Sequence, residues 1–435
     1  MIIIWIYLFL FLLAAILIIA AGAWLYRLWL RRGGRDSRWR GWVRFVLLAL
    51  AVLPFVFIGW SYYGWTHVYA WPNNTRPHSM WAALGDLDGD GDLDAYLANR
   101  ENEGVVPDTV WFNQGDGAFT RALRQPGEFE SQNVVLGDVD GDGSLDALSD
   151  VTGVVTFMSN DGAGGFPRRI FLNTPVSGVY TYFPALGDLD GDGDLDAVLG
   201  GCCGDSLGRK PFNTVFFNDG QGRFVNSGQQ LGASGTSIVA LGDLDGDGDL
   251  DLFAANSSAM VAGREDLERN QPNLVWLNDG EGRFTDSGQR LGADESYAVA
   301  LGDLNGDGSL DVYSGNRGAD TVWFNDGSGN FSDSGQRLGG DDTRLAALAD
   351  LDSDGDLDVF SAGRGFGQVW INQGGRQNGA IGAFQPGQRL EFSIWMAAAL
   401  GDLDGDGDAD VFTGLLDRAA QMWLNDGGGN FSLRP

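Results

Sequence analysis

Leu241 to Phe253 reads LGDLDGDGDLDLF, and the chain carries seven versions of this stretch, the others beginning at Leu84, Leu136, Leu186, Leu301, Leu348 and Leu400. Counted from its first acidic residue, each version has Asp, once Asn, at positions 1, 3, 5 and 9, Asp or Ser at position 7, and Gly at position 6. Calcium takes six to eight hard oxygen ligands, and alternate residues of a tight loop can aim carboxylates at one point while Gly permits the sharp turn. The candidate metal ligands are therefore Asp86, Asp88, Asp90, Asp92 and Asp94; Asp138, Asp140, Asp142, Ser144 and Asp146; Asp188, Asp190, Asp192, Asp194 and Asp196; Asp243, Asp245, Asp247, Asp249 and Asp251. The last three loops add Asp303, Asn305, Asp307, Ser309 and Asp311; Asp350, Asp352, Asp354, Asp356 and Asp358; Asp402, Asp404, Asp406, Asp408 and Asp410. Position 7 is expected to contribute its backbone carbonyl, which is why Ser144 and Ser309 can stand there. The cofactor implied is Ca2+, with up to seven ions.

An EF-hand would need a bidentate Glu at position 12 and flanking helices, whereas Ala254 stands at that place and the flanks are short apolar runs. Ser237 to Leu244 and Leu250 to Ala254 have strand lengths, so the loop is predicted to cap a β-hairpin. The first Asp of each version falls at 86, 138, 188, 243, 303, 350 and 402, and a period near fifty residues suits a four-stranded propeller blade rather than a separate domain.

Each unit divides into four strands. The first, as in Ser296 to Leu304, has small alternate residues such as Ala298, Ala300 and Gly302, which belong where seven strands converge on an axis. The second follows the loop, as in Leu310 to Ser314. The third carries an aromatic signature, as in Val275-Trp276-Leu277-Asn278 and Val322-Trp323-Phe324-Asn325, and in the second unit Val154 to Asn160 lacks the Trp. The fourth is marked by Phe119, Phe166, Phe224, Phe284, Phe331, Phe384 and Phe431. Residues demanded in nearly every unit are read as packing between neighbouring sheets. The fold class is all-β, a seven-bladed β-propeller with calcium loops, preceded by two transmembrane helices. Closure with whole blades is the simplest arrangement, with a strand from Tyr69 to Thr75 completing the last blade as the alternative.

The N-terminal part is organised differently. Ile2 to Leu25 is almost unbroken apolar sequence, longer than the roughly 20 residues needed to cross a bilayer, and no charge precedes Arg27. Residues 1–30 are read as transmembrane helix 1, 31–44 as an Arg-rich cytoplasmic loop, 45–65 as transmembrane helix 2 ending in an aromatic belt, 66–77 as a linker and 78–435 as the propeller. The arginines against the single Asp36 set the topology, with the propeller on the extracytoplasmic side of the cell membrane.

The net charge of -31 is loop acidity, because the seven nine-residue loops hold 32 Asp. Nothing supplies a basic stripe, so nucleic acid is not expected as a partner. Cys202 and Cys203 are adjacent, so disulfides do not hold this fold together; the pair closes a strained vicinal bond or stays as two thiols.

These residues resemble the integrin-type FG-GAP propellers and the bacterial VCBS-repeat proteins over 78–435, on the repeated DxDxDGxxD between apolar strands and the WxND-type hairpin. The resemblance implies the propeller fold and leaves function open, because such propellers serve as adhesion receptors, lectins and non-catalytic parts of enzymes. No leg domains follow, so integrin-like receptor function does not carry over. The fifth loop, with Asn305, departs furthest from the pattern. The propeller segment has one His, His78 at its edge, and no HExxH, no GxSxG in a strand-to-helix setting and no phosphate-cradling Gly loop, so a non-enzyme is expected. Irregular connections, Ala98 to Asp108, Gly200 to Asn213 and Asn256 to Asn273, gather on the face opposite the metal loops, where a partner surface is expected. The functional reading is a membrane-anchored, calcium-stabilised binding or adhesion scaffold for an extracellular protein or glycan. The alternative is a lectin-like, polysaccharide-active or phosphoesterase domain.

Overall fold

Small residues at the start of each repeat and a tight acidic hairpin after them leave the chain one way to bury its apolar strands, in sheets that fan out from a common axis. The computed structural model describes residues 78–434 apart from 101–105, 124, 127–130, 152–153, 173–180, 202–210, 258–270, 364, 378, 392–395 and 416–419. These residues form seven four-stranded antiparallel sheets, each made of four strands consecutive in sequence. Blade 1 runs from the strand His78–Gly85 to Phe119–Arg121, blade 2 from Ser131–Gly137 to Arg168–Phe171 and blade 3 from Thr181–Gly187 to Val225–Asn226. Blade 4 runs from Gly235–Gly242 to Thr285–Asp286, blade 5 from Ser296–Gly302 to Phe331–Leu338, blade 6 from Thr343–Ala349 to Phe384–Glu391 and blade 7 from Met396–Gly401 to Phe431–Leu433.

The first strands form the inner ring, and that of blade 1 packs against those of blades 2 and 7. The architecture is a seven-bladed propeller. It closes with whole blades, since the seventh sheet is complete within 396–433. Crowding at the axis explains the small residues: a Cβ added at Gly85, Gly302 or Gly401 would fall within 2.7 Å of a leucine methyl of the next blade. One residue corrects the expectation of a uniformly small lining. Trp81 of blade 1 reaches Phe183 of blade 3, edge to face at 4.8 Å between ring centres, so two aromatic rings from non-adjacent blades fill the axis there.

The first strands are shorter than their apolar runs. The run Ser296 to Leu304 forms strand only to Gly302, because Asp303 leaves the ladder and its carboxylate takes the N–H groups of Gly306 and Gly308 instead (2.6 and 2.9 Å). The second strands begin at the ninth loop residue, as in Asp311–Asn316.

Five of the seven junctions between blades share one aromatic contact. The fourth-strand Phe of a blade meets a buried ring of the preceding blade: Phe166 on Tyr96, Phe224 on Phe157, Phe331 on Phe253, Phe431 on Phe360, and Phe119 of blade 1 on Phe412 of blade 7. Blade 2 keeps this contact with a swap. Its second strand offers Leu148 where blade 1 has Tyr96, and the ring is supplied by Phe157 across the ladder, where blade 1 has Val110. Both are fully buried, and buried Met158 stands at the register where blade 1 has Trp111, so the lost Trp does not leave this blade hollow.

The two apolar N-terminal runs, the linker, Cys202, Cys203, residues 101–105 of the first irregular connection and most of the other two lie outside the described residues. Among the described residues no helix is long and apolar enough to cross a membrane.

Candidate functional site

Every metal loop joins the first strand to the second, so all seven sit on one face of the propeller, together with the turns that join third strands to fourth. The loop is shaped by its own side chains. In blade 4 the Asp243 carboxylate accepts the N–H of Gly246 (2.7 Å) and of Gly248 (3.1 Å), and Asp247 accepts that of Asp249 (3.0 Å). Gly248 has φ +99° with open space around it, so its backbone angle rather than crowding demands glycine.

Positions 1, 3 and 9 converge. In blades 1, 2, 3, 4 and 6 the trios Asp86/Asp88/Asp94, Asp138/Asp140/Asp146, Asp188/Asp190/Asp196, Asp243/Asp245/Asp251 and Asp350/Asp352/Asp358 each bring one carboxylate oxygen per residue within 4.8 Å of one another. The third-position Oδ1 atoms of Asp88, Asp140, Asp190, Asp245 and Asp404 are buried without a hydrogen-bond partner among the described residues. A buried carboxylate oxygen left bare costs free energy that a cation would recover, so these donors fit calcium. Position 5 residues such as Asp90 and Asp247 are exposed at the loop tip. Position 7 residues turn aside: Asp92, Asp194, Asp249 and Asp408 lie against Gly115, Gly220, Gly280 and Gly427 of the turns in their own blades. In blade 5, Asn305 at position 3 spends its Oδ1 on the N–H of Asp307 (3.0 Å).

The ninth residue has a second task. Asp94 is fully buried, and it accepts the N–H of Leu87 in its own loop (2.9 Å) and the N–H of Asn113 at the end of the third strand (2.9 Å). Asp146, Asp196, Asp251, Asp311, Asp358 and Asp410 repeat both bonds. Burial pushes these carboxyls up to about 6, and Asp358 to about 7, against the downward pull of the two N–H groups. Burial, then repulsion from the position 5 Asp, also raises Asp88, Asp190, Asp245 and Asp404. Each loop thus holds acidic groups that resist ionisation until positive charge arrives.

The third-strand Asn is the functional residue that pattern reading missed. Its carboxamide donates to a loop carbonyl of the preceding blade: Asn160 to Leu87, Asn218 to Val139, Asn278 to Leu189, Asn325 to Leu244, Asn372 to Leu304, Asn425 to Leu351 and Asn113 to Leu403, all at 2.7–2.9 Å. The acceptor always follows the first loop Asp, so each metal loop is braced by the next blade. A second set of clamps uses glutamine. The carboxamide of Gln289 donates to Gly329 O (2.5 Å) and accepts the N–H of Phe331 (2.8 Å), and Gln229 and Gln336 do the same to their next blades. Both sets were legible only as recurring letters, WxN and SGQ.

Blade 6 departs locally. Ser353 replaces the position 4 Gly at φ +59°, and the lengthened turn carries a short 3-10 helix, Gly375–Gln377, whose Gln377 side chain bonds Asp352.

A family model described as FG-GAP-like repeat matches residues 86–149, 201–254, 260–314, 303–357 and 350–413, more than half of the chain, and one described as FG-GAP repeat matches 234–277. No curated protein matches it. Among solved structures, an Agrocybe aegerita lectin, described for its recognition of non-reducing terminal N-acetylglucosamine, is similar with a TM-score of 0.50 at 19% identity, over 82% of this chain and 90% of its own. A structure of BBS1N in complex with ARL6DN, soaked with mercury, is similar with a TM-score of 0.52 at 10% identity, over 81% of this chain and 91% of its own. At these identities the likeness is one of fold.

Proposed function

Because the chain belongs to the FG-GAP-like repeat family, we propose that it is a calcium-stabilised binding scaffold, held at the membrane by its N-terminal apolar runs with the propeller on the extracytoplasmic side. The observation that carries the calcium part is the buried, bare Oδ1 of the third loop residue beside the carboxylates of positions 1 and 9. With an extracellular-type dissociation constant of about 0.1 mM, each ion would add roughly 1.4 kcal/mol at about 1 mM calcium. Seven such ions would contribute about 10 kcal/mol, comparable with the whole stability of an ordinary domain.

The scaffold part rests on the division of the two faces. One face is committed to loops of repeated sequence that brace one another; the opposite face carries the connections that differ from blade to blade, and there an extracellular protein or glycan is expected to bind. A non-catalytic reading fits the buried carboxylates outside the loops. Asp108 accepts from Tyr96, Asn99 and Ser131, and Asp320 from Tyr313, Asn316 and Thr343, and both are almost wholly buried. Their raised pKa values of about 7 come first from burial, and each carboxyl group is already engaged by three donors of the protein itself.

The test is a calcium titration of the detergent-solubilised chain after chelation, with thermal unfolding followed by circular dichroism. Uptake of several ions with a large rise in melting temperature supports the scaffold reading. An unchanged melting temperature in excess chelator overturns it.

A further inference from the structure

Blade 2 carries its own cation. In the other six blades the residue just before the third-strand Asn is large and apolar, namely Phe112, Phe217, Leu277, Phe324, Ile371 and Leu424, and its cross-strand partner is uncharged. In blade 2 the pair at this register is Ser159 and Arg168. Both turn to the metal loop of the same blade. Ser159 Oγ donates to Asp140 Oδ2 (2.9 Å), and Arg168 Nη1 lies 3.5 Å from the same oxygen. Arg168 Nη2 also reaches Gln221 O in the adjoining turn of blade 3 (3.4 Å), which holds the guanidinium between the two blades. Asp140 is the third-position residue, one of the three that converge in this loop.

The geometry points to Arg168 as a built-in counter-ion that competes with calcium, making blade 2 a weaker calcium site than its carboxylate set alone would give and a loop that stays closed without an ion. The inference rests on the calcium reading of the loops. A guanidinium beside Asp140 offsets the repulsion among Asp138, Asp140 and Asp146, the same repulsion that calcium relieves elsewhere. An arriving ion must then displace Arg168 from Asp140 Oδ2 or share the carboxylate with it, and either course subtracts from its affinity. The bare Oδ1 atoms of Asp138 and Asp140 leave the site able to bind, so the effect is on affinity and not on stoichiometry. The propeller would then keep one braced hairpin from which the ring can order before calcium is met.

The experiment compares the full chain with R168Q, solubilised in the same detergent, by calorimetric titration with calcium alone and by melting in chelator. R168Q is expected to melt at a lower temperature without calcium and to tighten one binding step by about two- to fivefold. Adding D138N to R168Q should abolish that step, which locates it in blade 2. An R168Q isotherm identical to that of the parent overturns the assignment, whether or not the ion-free melting temperature falls, since a fall alone means a surface ion pair. A parent chain that takes up no calcium defeats the calcium reading itself, a different outcome from calcium binding that R168Q leaves untouched.

Discussion

The side-chain amide of Asn113 donates a 2.8 Å hydrogen bond to the carbonyl of Leu403, joining residues 290 positions apart and completing a circle of seven such bonds. Asn113 Oδ1 meanwhile accepts the N–H of Gln114 (2.8 Å) and of Gly117 (3.1 Å). Asn113→Ala strips a buried carbonyl and two turn N–H groups of their partner, and the expected loss is about 1–3 kcal/mol. Urea unfolding of the calcium-loaded chain checks this. Asn278→Ala, at the equivalent place between blades 3 and 4, should cost the same within a factor of about two; a far smaller loss for Asn113 would mean that the ring does not need this bond to close.

Ser353 holds a backbone angle that glycine adopts freely, at a place where blade 4 has Gly246 with φ +81°. Ser353→Gly should stabilise the chain by about 1 kcal/mol, the relief of about 1–2 kcal/mol of left-handed strain less the freedom that glycine adds to the unfolded chain. Gly246→Ser should do the reverse, more strongly, because its new Cβ meets Gly327 O at 3.2 Å. Thermal melts at fixed calcium decide the sign.

Asp108 and Asp320 supply a pH dependence outside the loops. Burial raises both to about 7, so the folded chain keeps these protons while an unfolded carboxyl loses its proton near pH 4. Between those values the folded state binds more protons, and stability falls as pH rises from about 4 to about 7. Asp320→Asn should flatten that part of the profile relative to the parent. The substitution has precedent within the molecule, since Asn273 caps the N–H of Asn256 at the corresponding position of blade 4 (2.8 Å). A denaturation series over pH, compared with the parent so that the loops cancel, measures the difference.

Asp245→Asn should change sign with calcium. Without the ion, a neutral side chain relieves a carboxyl raised by burial and by Asp247, so the melting temperature in chelator should hold or rise. At about 1 mM calcium the same variant should lose about 1.4 kcal/mol and one bound ion. A loss of equal size in chelator would show that Asp245 serves the apo loop alone.

The fold was readable because its period is written in residues with few substitutes. Only Gly suits the φ +99° at Gly248, and only small residues fit at Gly85 and Gly302, so both recur at fixed register. The partners of Asn113, Gln289 and Arg168 were not readable in the same way. Each acts on another strand or blade, and local spacing says nothing about which loop stands beside it. The first strands were read too long because Asp303 belongs to the apolar run by position and to the loop by its hydrogen bonds. Trp81 escaped notice for a similar reason, since its ring partner Phe183 lies two blades away.

Among the described residues every sheet is built from four strands consecutive in sequence, and no blade borrows a strand from another. Nothing in the backbone ladder therefore distinguishes the junction of blades 7 and 1 from the other six. Like them it is held by an Asn-to-carbonyl bond, here Asn113 with Leu403, and like four of them by an aromatic pair, here Phe119 with Phe412. Such a chain is divisible: severing any connection between blades would cut no hydrogen-bonded sheet, and two complementary fragments would each carry whole blades to a side-chain seam built to receive them.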